Sequence, residues 1–366
     1  MNALGVSGFG GLARHAWLAE RLARATVQSV ALPFKLTMAL TFRCHHRCGI
    51  CGIWARDKGE EMAPAALDKL FASLPNLAWL DLTGGEAPAF RSLPALAESL
   101  QRHSKRLALL HFPTAGMIPG QAVAAARLLY WRGGPRLVVT VSFDGPQALH
   151  DELRGMGGAF VQACETWRQL RQEPGIQVFA GMTLQPANLA HWRATVRALQ
   201  EALPGFALGD LHVNFLHRSP HYFANAATAA CATAELRQTL RDIQAAKGPP
   251  TGPFSVIESS YLTLSQNHLR PGAQQFRSPI PCRSAEISAY IGPDGTVFPC
   301  TIDERPLGRL IDFDFNLAAL WQSATRQALR AEIAHDRCPG CWTPCEAYQT
   351  LLTQPLQTTR ALATRA

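Results

Sequence analysis

Residues 35–51 read KLTMALTFRCHHRCGIC, an apolar run over 35–42 that ends in Cys44, Cys48 and Cys51. A short strand running straight into three closely spaced thiols is the pattern from which the rest of the chain follows. Downstream, apolar runs at 78–83, 107–112, 137–143, 176–184 and 210–215 have strand length. Between them, 65–74, 93–103, 121–131, 158–171 and 189–202 carry apolar residues at helical spacing. This alternation predicts repeated βα units around a parallel sheet. Six units fall short of the eight that close a barrel. The expected fold class is therefore α/β, a partial (β/α)6 TIM-like barrel with its site at the C-terminal ends of the strands. The cysteine loop, Thr83-Gly84-Gly85-Glu86, Pro113-Thr114-Ala115-Gly116 and Ser142-Phe143-Asp144-Gly145 all fall at those ends.

The remaining chain divides by composition. Residues 1–33 carry an amphipathic helical pattern over 12–30, read as a helix packed on the domain. The core spans 34–220. A helical connector, 221–280, holds two helical stretches broken by the Pro/Gly-rich segment 247–253. A cysteine-rich module occupies 281–350, where Gly292-Pro293-Asp294-Gly295 reads as a hairpin turn between 286–291 and 296–299. The tail, 351–366, is read as short, polar and frayed.

With 366 residues, 47% hydrophobic and 17% charged, the chain is sized for a folded enzyme with one large and one smaller unit. Its net charge of +8 is scattered, with no run of five basic residues, so a dedicated nucleic-acid stripe is not indicated. No stretch approaches the roughly 20 apolar residues of a membrane span, and no export signal is visible, so a cytoplasmic location is expected. Ten cysteines in a reducing compartment point to metal or cluster ligation rather than disulfides. Cys164 and Cys231 stand alone on helical segments and read as small buried hydrophobes.

Cys44, Cys48 and Cys51 can put three sulfurs on neighbouring corners of one cluster. Three protein ligands on a four-iron cubane leave one iron open, as a catalytic metal keeps a vacant position. The competing reading is zinc, with His45 or His46 as fourth ligand. The CxxxCxxC loop after the first strand, followed one βα unit later by Gly84-Gly85-Glu86, resembles the radical S-adenosylmethionine (SAM) superfamily. That resemblance implies a 4Fe-4S cluster on the three cysteines, with SAM chelating the open iron. It implies reductive cleavage of SAM to methionine and a 5'-deoxyadenosyl radical inside a closed cavity. It implies that Gly84, Gly85 and Glu86 contact SAM and that Ser142 helps to hold it. Arg154, Thr183 and Asn188 are further cofactor-binding candidates, for which helix surface or turn capping is an equal alternative.

Cys282, Gly295, Cys300, Cys338, Cys341 and Cys345 are spaced like the auxiliary-cluster domain called SPASM, or its shortened twitch form. That resemblance implies a second 4Fe-4S cluster. A full domain has about seven cysteines for two clusters, whereas five are present here. Cys282, Cys300, Cys338 and Cys341 fit best, and Cys345 either replaces one of them or remains over. Structural zinc is the alternative. His212, His217 and His221, with Asn214, Arg218 and Tyr222, surround the end of the sixth strand and read as core residues or as the wall of a polar pocket.

The expectation is thus a radical SAM enzyme of oxidoreductase-like or related radical chemistry, served by an external electron donor such as flavodoxin or ferredoxin. The substrate is a small metabolite, a carbohydrate or a peptide. The absence of a visible peptide-recognition segment before the first strand leans the reading toward a small molecule. A non-catalytic iron-sulfur or zinc protein and a nucleic-acid-modifying enzyme are the competitors.

Overall fold

The computed structural model describes residues 8–269 and 277–363, side chains from residue 12 onward. Residues 1–7, 270–276 and 364–366, parts of the expected N-terminal segment, connector and tail, lie outside the described residues. Strands β1 (Lys35–Thr41), β2 (Trp79–Gly84), β3 (Leu109–Thr114), β4 (Arg136–Ser142), β5 (Ile176–Leu184) and β6 (Leu211–Phe215) run parallel in sequence order. This is the half-barrel that the alternating pattern implies.

Side chains alternate across each strand, and the two faces differ in chemistry. Leu36, Met38, Leu80, Leu82, Leu110, Phe112, Val139 and Met182 belong to the main core, packed with residues such as Leu67, Leu100, Ala126 and Trp167 of the covering helices. Those helices are α2 (Pro64–Ala72), α3 (Leu93–His103), α4 (Pro119–Leu129), α5 (Gln147–Arg154), α6 (Ala159–Gln172) and α7 (Trp192–Ala202), with α1 (Gly8–Val27) preceding β1. The other face carries Lys35, Thr37, Asp81, His111, Thr140 and His212 and forms the lumen.

After β6 come α8 (Thr233–Lys247) and α9 (Pro253–His268), then β7 (Ser288–Ile291), β8 (Thr296–Phe298) and β9 (Gly308–Arg309). The chain ends in α10 (Leu317–Trp321), α11 (Ala324–Ala334), α12 (Pro344–Thr353) and α13 (Pro355–Ala363). Gly295, at φ +80°, closes the expected hairpin between β7 and β8. β7 also pairs in parallel with β1, from Lys35 opposite Ser288 to Met38 opposite Ile291. The cysteine-rich segment therefore continues the core sheet in the order β6-β5-β4-β3-β2-β1-β7-β8-β9.

Phe254 of α9 and Tyr348 and Leu352 of α12 pack on Trp79, Leu109, Val138 and Phe179, plugging the lumen at the strands' N-terminal ends. The frayed tail expected from residue 351 is instead helical. Leu351 and Thr353 complete the buried side of α12, and Pro355 opens α13, whose Ala361 is buried. Among the described residues no helix is long and apolar enough to cross a membrane.

Candidate active site and auxiliary cysteine site

The loop after β1 is held against the loop after β2 by backbone hydrogen bonds. Thr41 lies opposite Gly84 in the sheet. Gly85 N–H donates to the Thr41 carbonyl (2.7 Å) and Glu86 N–H to the Arg43 carbonyl (2.8 Å). Side chains are excluded here: a Cβ on Gly84 would run into the Thr41 carbonyl oxygen, and one on Gly85 into that of Arg43. Gly84 also has φ +119°, which favours glycine. Glu86 is buried, and its carboxylate accepts from the Thr114 hydroxyl and from Ala115 N–H (3.0 Å) at the end of β3. Burial raises its pKa, against those hydrogen bonds. Three successive strand ends are thereby locked together.

Arg154 closes the loop from the other side. It ends α5, and its carbonyl accepts from Arg47 N–H (3.0 Å) inside the cysteine loop. Its buried guanidinium pairs with Asp144 (2.8 Å) and directs Nη1 at Cys48 Sγ (3.9 Å). Asp144 also accepts from Thr183 N–H (2.9 Å), while Asn188 donates to the carbonyls of Asp144 (2.9 Å) and Thr183 (3.0 Å). Arg154 thus meets the thiols directly, and Asn188 acts as a brace between β4 and β5. Thr183 and Ser142, both half-buried, stand at neighbouring strand ends.

Burial pushes the Cys44 and Cys51 thiols up to about 11, and that of Cys48 upward against the pull of Arg154. Such thiols stay protonated at neutral pH until a metal displaces the proton. The donor set fits an iron-sulfur cluster because the sulfurs accept backbone hydrogen bonds of the kind that stabilise bound thiolates. Cys44 receives one from His46 and Cys51 one from Ile53. The C-terminal group repeats that i+2 turn, with Ser284 N–H on Cys282 (3.5 Å), Ile302 N–H on Cys300 (3.4 Å) and Gly340 on Cys338.

Cys282, Cys300, Cys338 and Cys341 line one cleft with Ser284, Asp303 and Ile333, and Cys300 and Cys341 are hydrogen-bonded. Cys345 is not among the residues lining that cleft. It sits on α12, its carbonyl accepts from Lys35 Nζ, and burial pushes its thiol up to about 12. Among the described residues no three His, Cys, Asp or Glu converge tightly enough to hold a single metal ion. A multi-iron cluster places its thiolates on different irons and makes no such demand. His45 is exposed, and His46 is buried with both ring nitrogens unpartnered.

The histidines after β6 separate. His212 lies on the lumen face, stacked on Phe179. His217 packs against Phe215, and burial lowers it to about 3. His221 bonds to the Cys300 carbonyl (3.1 Å). Asn225 reaches the Ile50 carbonyl (2.9 Å), Gly52 N–H donates to the Phe223 carbonyl (2.7 Å), and Ser219 donates to the Thr301 carbonyl (2.6 Å). Residues 219–225 therefore bridge the two cysteine sites. The sequence analysis did not single out Asp144 or Asn225; an Asp two residues past the fourth strand, within Phe143-Asp144-Gly145, was the available signal for the first.

The SPASM family, an iron-sulfur cluster-binding domain, matches residues 282–342. The half-barrel carries the three-cysteine loop and Gly84-Gly85-Glu86 on adjacent strand ends, and its sheet continues into that matched segment. The chain carries a SPASM iron-sulfur segment, and its half-barrel and three-cysteine motif are similar to those of radical SAM enzymes. A curated relative, the sporulation killing factor maturation protein SkfB of Bacillus subtilis (strain 168), is 23% identical over 332 residues, spanning 84% of this chain and 70% of the relative. The structure of anSMEcpe with bound AdoMet and a Cp18Cys peptide superposes with a TM-score of 0.57 at 13% identity, covering 90% of this chain and 95% of that one. Streptococcus suis SuiB bound to precursor peptide SuiA superposes with a TM-score of 0.58 at 12% identity, covering 90% and 74%. At these identities the superpositions bear on the fold.

Proposed function

We propose that this protein is a radical SAM enzyme that modifies a peptide, using SAM held at a 4Fe-4S cluster on Cys44, Cys48 and Cys51, with an auxiliary cluster on Cys282, Cys300, Cys338 and Cys341. The observation that carries this reading is the backbone lock between the three-thiol loop and Gly84-Gly85-Glu86. One-electron cleavage of SAM to methionine and a 5'-deoxyadenosyl radical is the chemistry that such a site supplies when loaded. The chain's own contribution is positioning and exclusion. Gly84 and Gly85 let the cysteine loop close against the end of β2 beside the place SAM would take, Glu86 fixes the β2 and β3 loops, and Ser142 and Thr183 offer hydroxyls at the next strand ends. Arg154 supplies a buried positive charge beside Cys48. Cys345 is the thiol left over.

The peptide assignment is supported by the relatives: one is named as a maturation protein for a killing factor, and two solved neighbours were captured with peptides. An external flavodoxin or ferredoxin would supply the electron, approaching the exposed His45, Arg47 and Trp54 beside the cysteine loop. The test is 5'-deoxyadenosine release by the anaerobically reconstituted, dithionite-reduced enzyme, with short peptides encoded beside its gene as substrates and Cys48→Ala as control. Release by the parent alone, with a mass change in one peptide, is expected. A fully iron-loaded parent that fails to bind SAM would overturn the assignment, and SAM cleavage that leaves every peptide unchanged would overturn its peptide half.

A further inference from the structure

The lumen wall carries a polar array away from both cysteine sites. Asp81 of β2 accepts from Trp79 Nε1 (2.9 Å) and pairs with Lys35 Nζ (3.2 Å) and His111 Nδ1 (3.3 Å). Lys35 is fully buried and also reaches Thr37 Oγ1 (2.9 Å). Lys35 is shared between this carboxylate and Glu346 of α12, and His111 is the second basic partner of Asp81. On its far side, His111 Nε2 lies 3.0 Å from Thr140 Oγ1. A carboxylate only accepts, so Nδ1 carries the hydrogen and the Nε2 lone pair accepts from the Thr140 hydroxyl. This is how a second group orients a histidine for proton transfer.

Two further features suit a ligand. The His111 side chain, on the central strand β3, remains 28% exposed and that of Asp81 14%, so the lumen face above the apolar plug is reachable. Diagonally across from Thr140, whose register partner is Phe179, β5 carries Gly181 in mid-strand, where a Cβ would come within 2.6 Å of Thr140 Cγ2. The glycine lets Thr140 keep the rotamer that turns its hydroxyl to His111.

We propose that Asp81, His111 and Thr140 form a proton-accepting substrate site in the lumen, at which a substrate N–H, O–H or S–H group displaces the Thr140 hydroxyl from His111 Nε2 and gives Nε2 its proton. The X–H bond breaks, its electron pair stays on X, and the new imidazolium is balanced by Asp81. His111 is the residue that touches substrate; Asp81 positions it, and Thr140 covers Nε2 until substrate takes its place. The site deepens the functional reading above and rests on it for the identity of the substrate. The other titratable groups around it are Lys35, His212 of β6, Lys247 and Glu258 of α8 and α9, and Glu346 of α12.

Diethyl pyrocarbonate, which acylates only a neutral imidazole nitrogen open to solvent, tests the array on the reconstituted holoenzyme, with exposed His45 as internal standard and mass spectrometry as readout. His111 is expected to label. Asp81→Asn should slow its labelling at Nε2 severalfold, because the carboxylate no longer holds the hydrogen on Nδ1. Thr140→Val, which leaves the Lys35–Asp81 pair intact, should speed labelling severalfold. With a peptide that the parent converts, His111→Gln should cut product per 5'-deoxyadenosine at least tenfold while SAM cleavage stays within twofold. An inert His111 beside a labelled His45, or unchanged product yield in His111→Gln, would overturn the proposal. A parent that releases no 5'-deoxyadenosine sinks the radical assignment instead, and labelling then judges the array alone.

Discussion

At the scale of single residues, Arg154 has the most to explain. A fully desolvated guanidinium is tolerated only when paired, and removing one partner of a buried pair costs about 3–5 kcal/mol. Here Asp144 is the partner, yet Nη1 is spent on Cys48 Sγ rather than on a second carboxylate oxygen. A cation 3.9 Å from a buried thiol favours the thiolate that a cluster requires. Arg154→Met should therefore do two separable things. It should destabilise the fold, lowering the urea midpoint, because Asp144 loses its counter-charge. It should also lower the iron retained after reconstitution. Adding Asp144→Asn should restore much of the first and none of the second. Full recovery of iron by the double variant would reduce Arg154 to a structural ion pair. Arg154 was one of three weak candidates in the sequence because nothing there shows what it faces. Of the residues of α5 only His150 is buried, and nothing within its eight residues shows that the helix end folds back onto the cysteine loop. Asp81 and His111 were hidden differently: each is a polar residue inside an apolar run, and only the pairing of β2 with β3 sets them side by side.

Among the elements, the six core strands were legible because each is an apolar run of strand length, and β5 begins and ends where its sequence does. The segment 219–225 was not legible, being neither a helix nor a strand. Its order comes from contacts distant in sequence: Asn225 with Ile50, Phe223 with Gly52, His221 with Cys300 and Ser219 with Thr301. Tyr222 adds a hydrogen bond to Thr83 and packs on Tyr290. The segment thus touches the thiol loop, the strand before Gly84 and the Cys300 turn. Asn225 Nδ2 serves two carbonyls, Ile50 and His217, and Asn225 Oδ1 accepts Ser219 N–H (2.8 Å). Asn225→Ala leaves those groups unpaired at about 1–3 kcal/mol each where water cannot reach them. The expected outcome is faster amide hydrogen exchange in 48–56 and in 300–303 together, with β4 and β5 unchanged. Faster exchange confined to 217–225 would show that the two cysteine sites are held independently.

For the molecule as a whole, the division into a core and a cysteine-rich module is a division of sequence more than of structure. The motifs revealed both halves, but a parallel pairing between residues about 250 positions apart has no local signature, so the sequence could not show that β7 completes β1. The pairing is extensive. Ala289 and Ile291 enter the main core, Ile287 joins Phe34 and Ala78 beneath α1, and Phe34 and Lys35 both donate to the Ile287 carbonyl. Lys35 also reaches back to the Cys345 carbonyl, and α12 plugs the lumen. Ending the chain at Pro281 would uncover the edge of β1, strip Lys35 of a partner and open the apolar floor around Trp79 and Leu109. An uncovered hydrophobic strand edge templates aggregation. The 1–281 fragment is therefore expected to be insoluble or to unfold without a cooperative transition, even with Cys44, Cys48 and Cys51 intact. Calorimetry of that fragment beside the full chain decides it. A cooperative transition together with a reconstitutable three-cysteine cluster would mean that the half-barrel stands alone and the SPASM domain is an appendage; its absence would mean that the auxiliary site and the SAM site are parts of one folding unit.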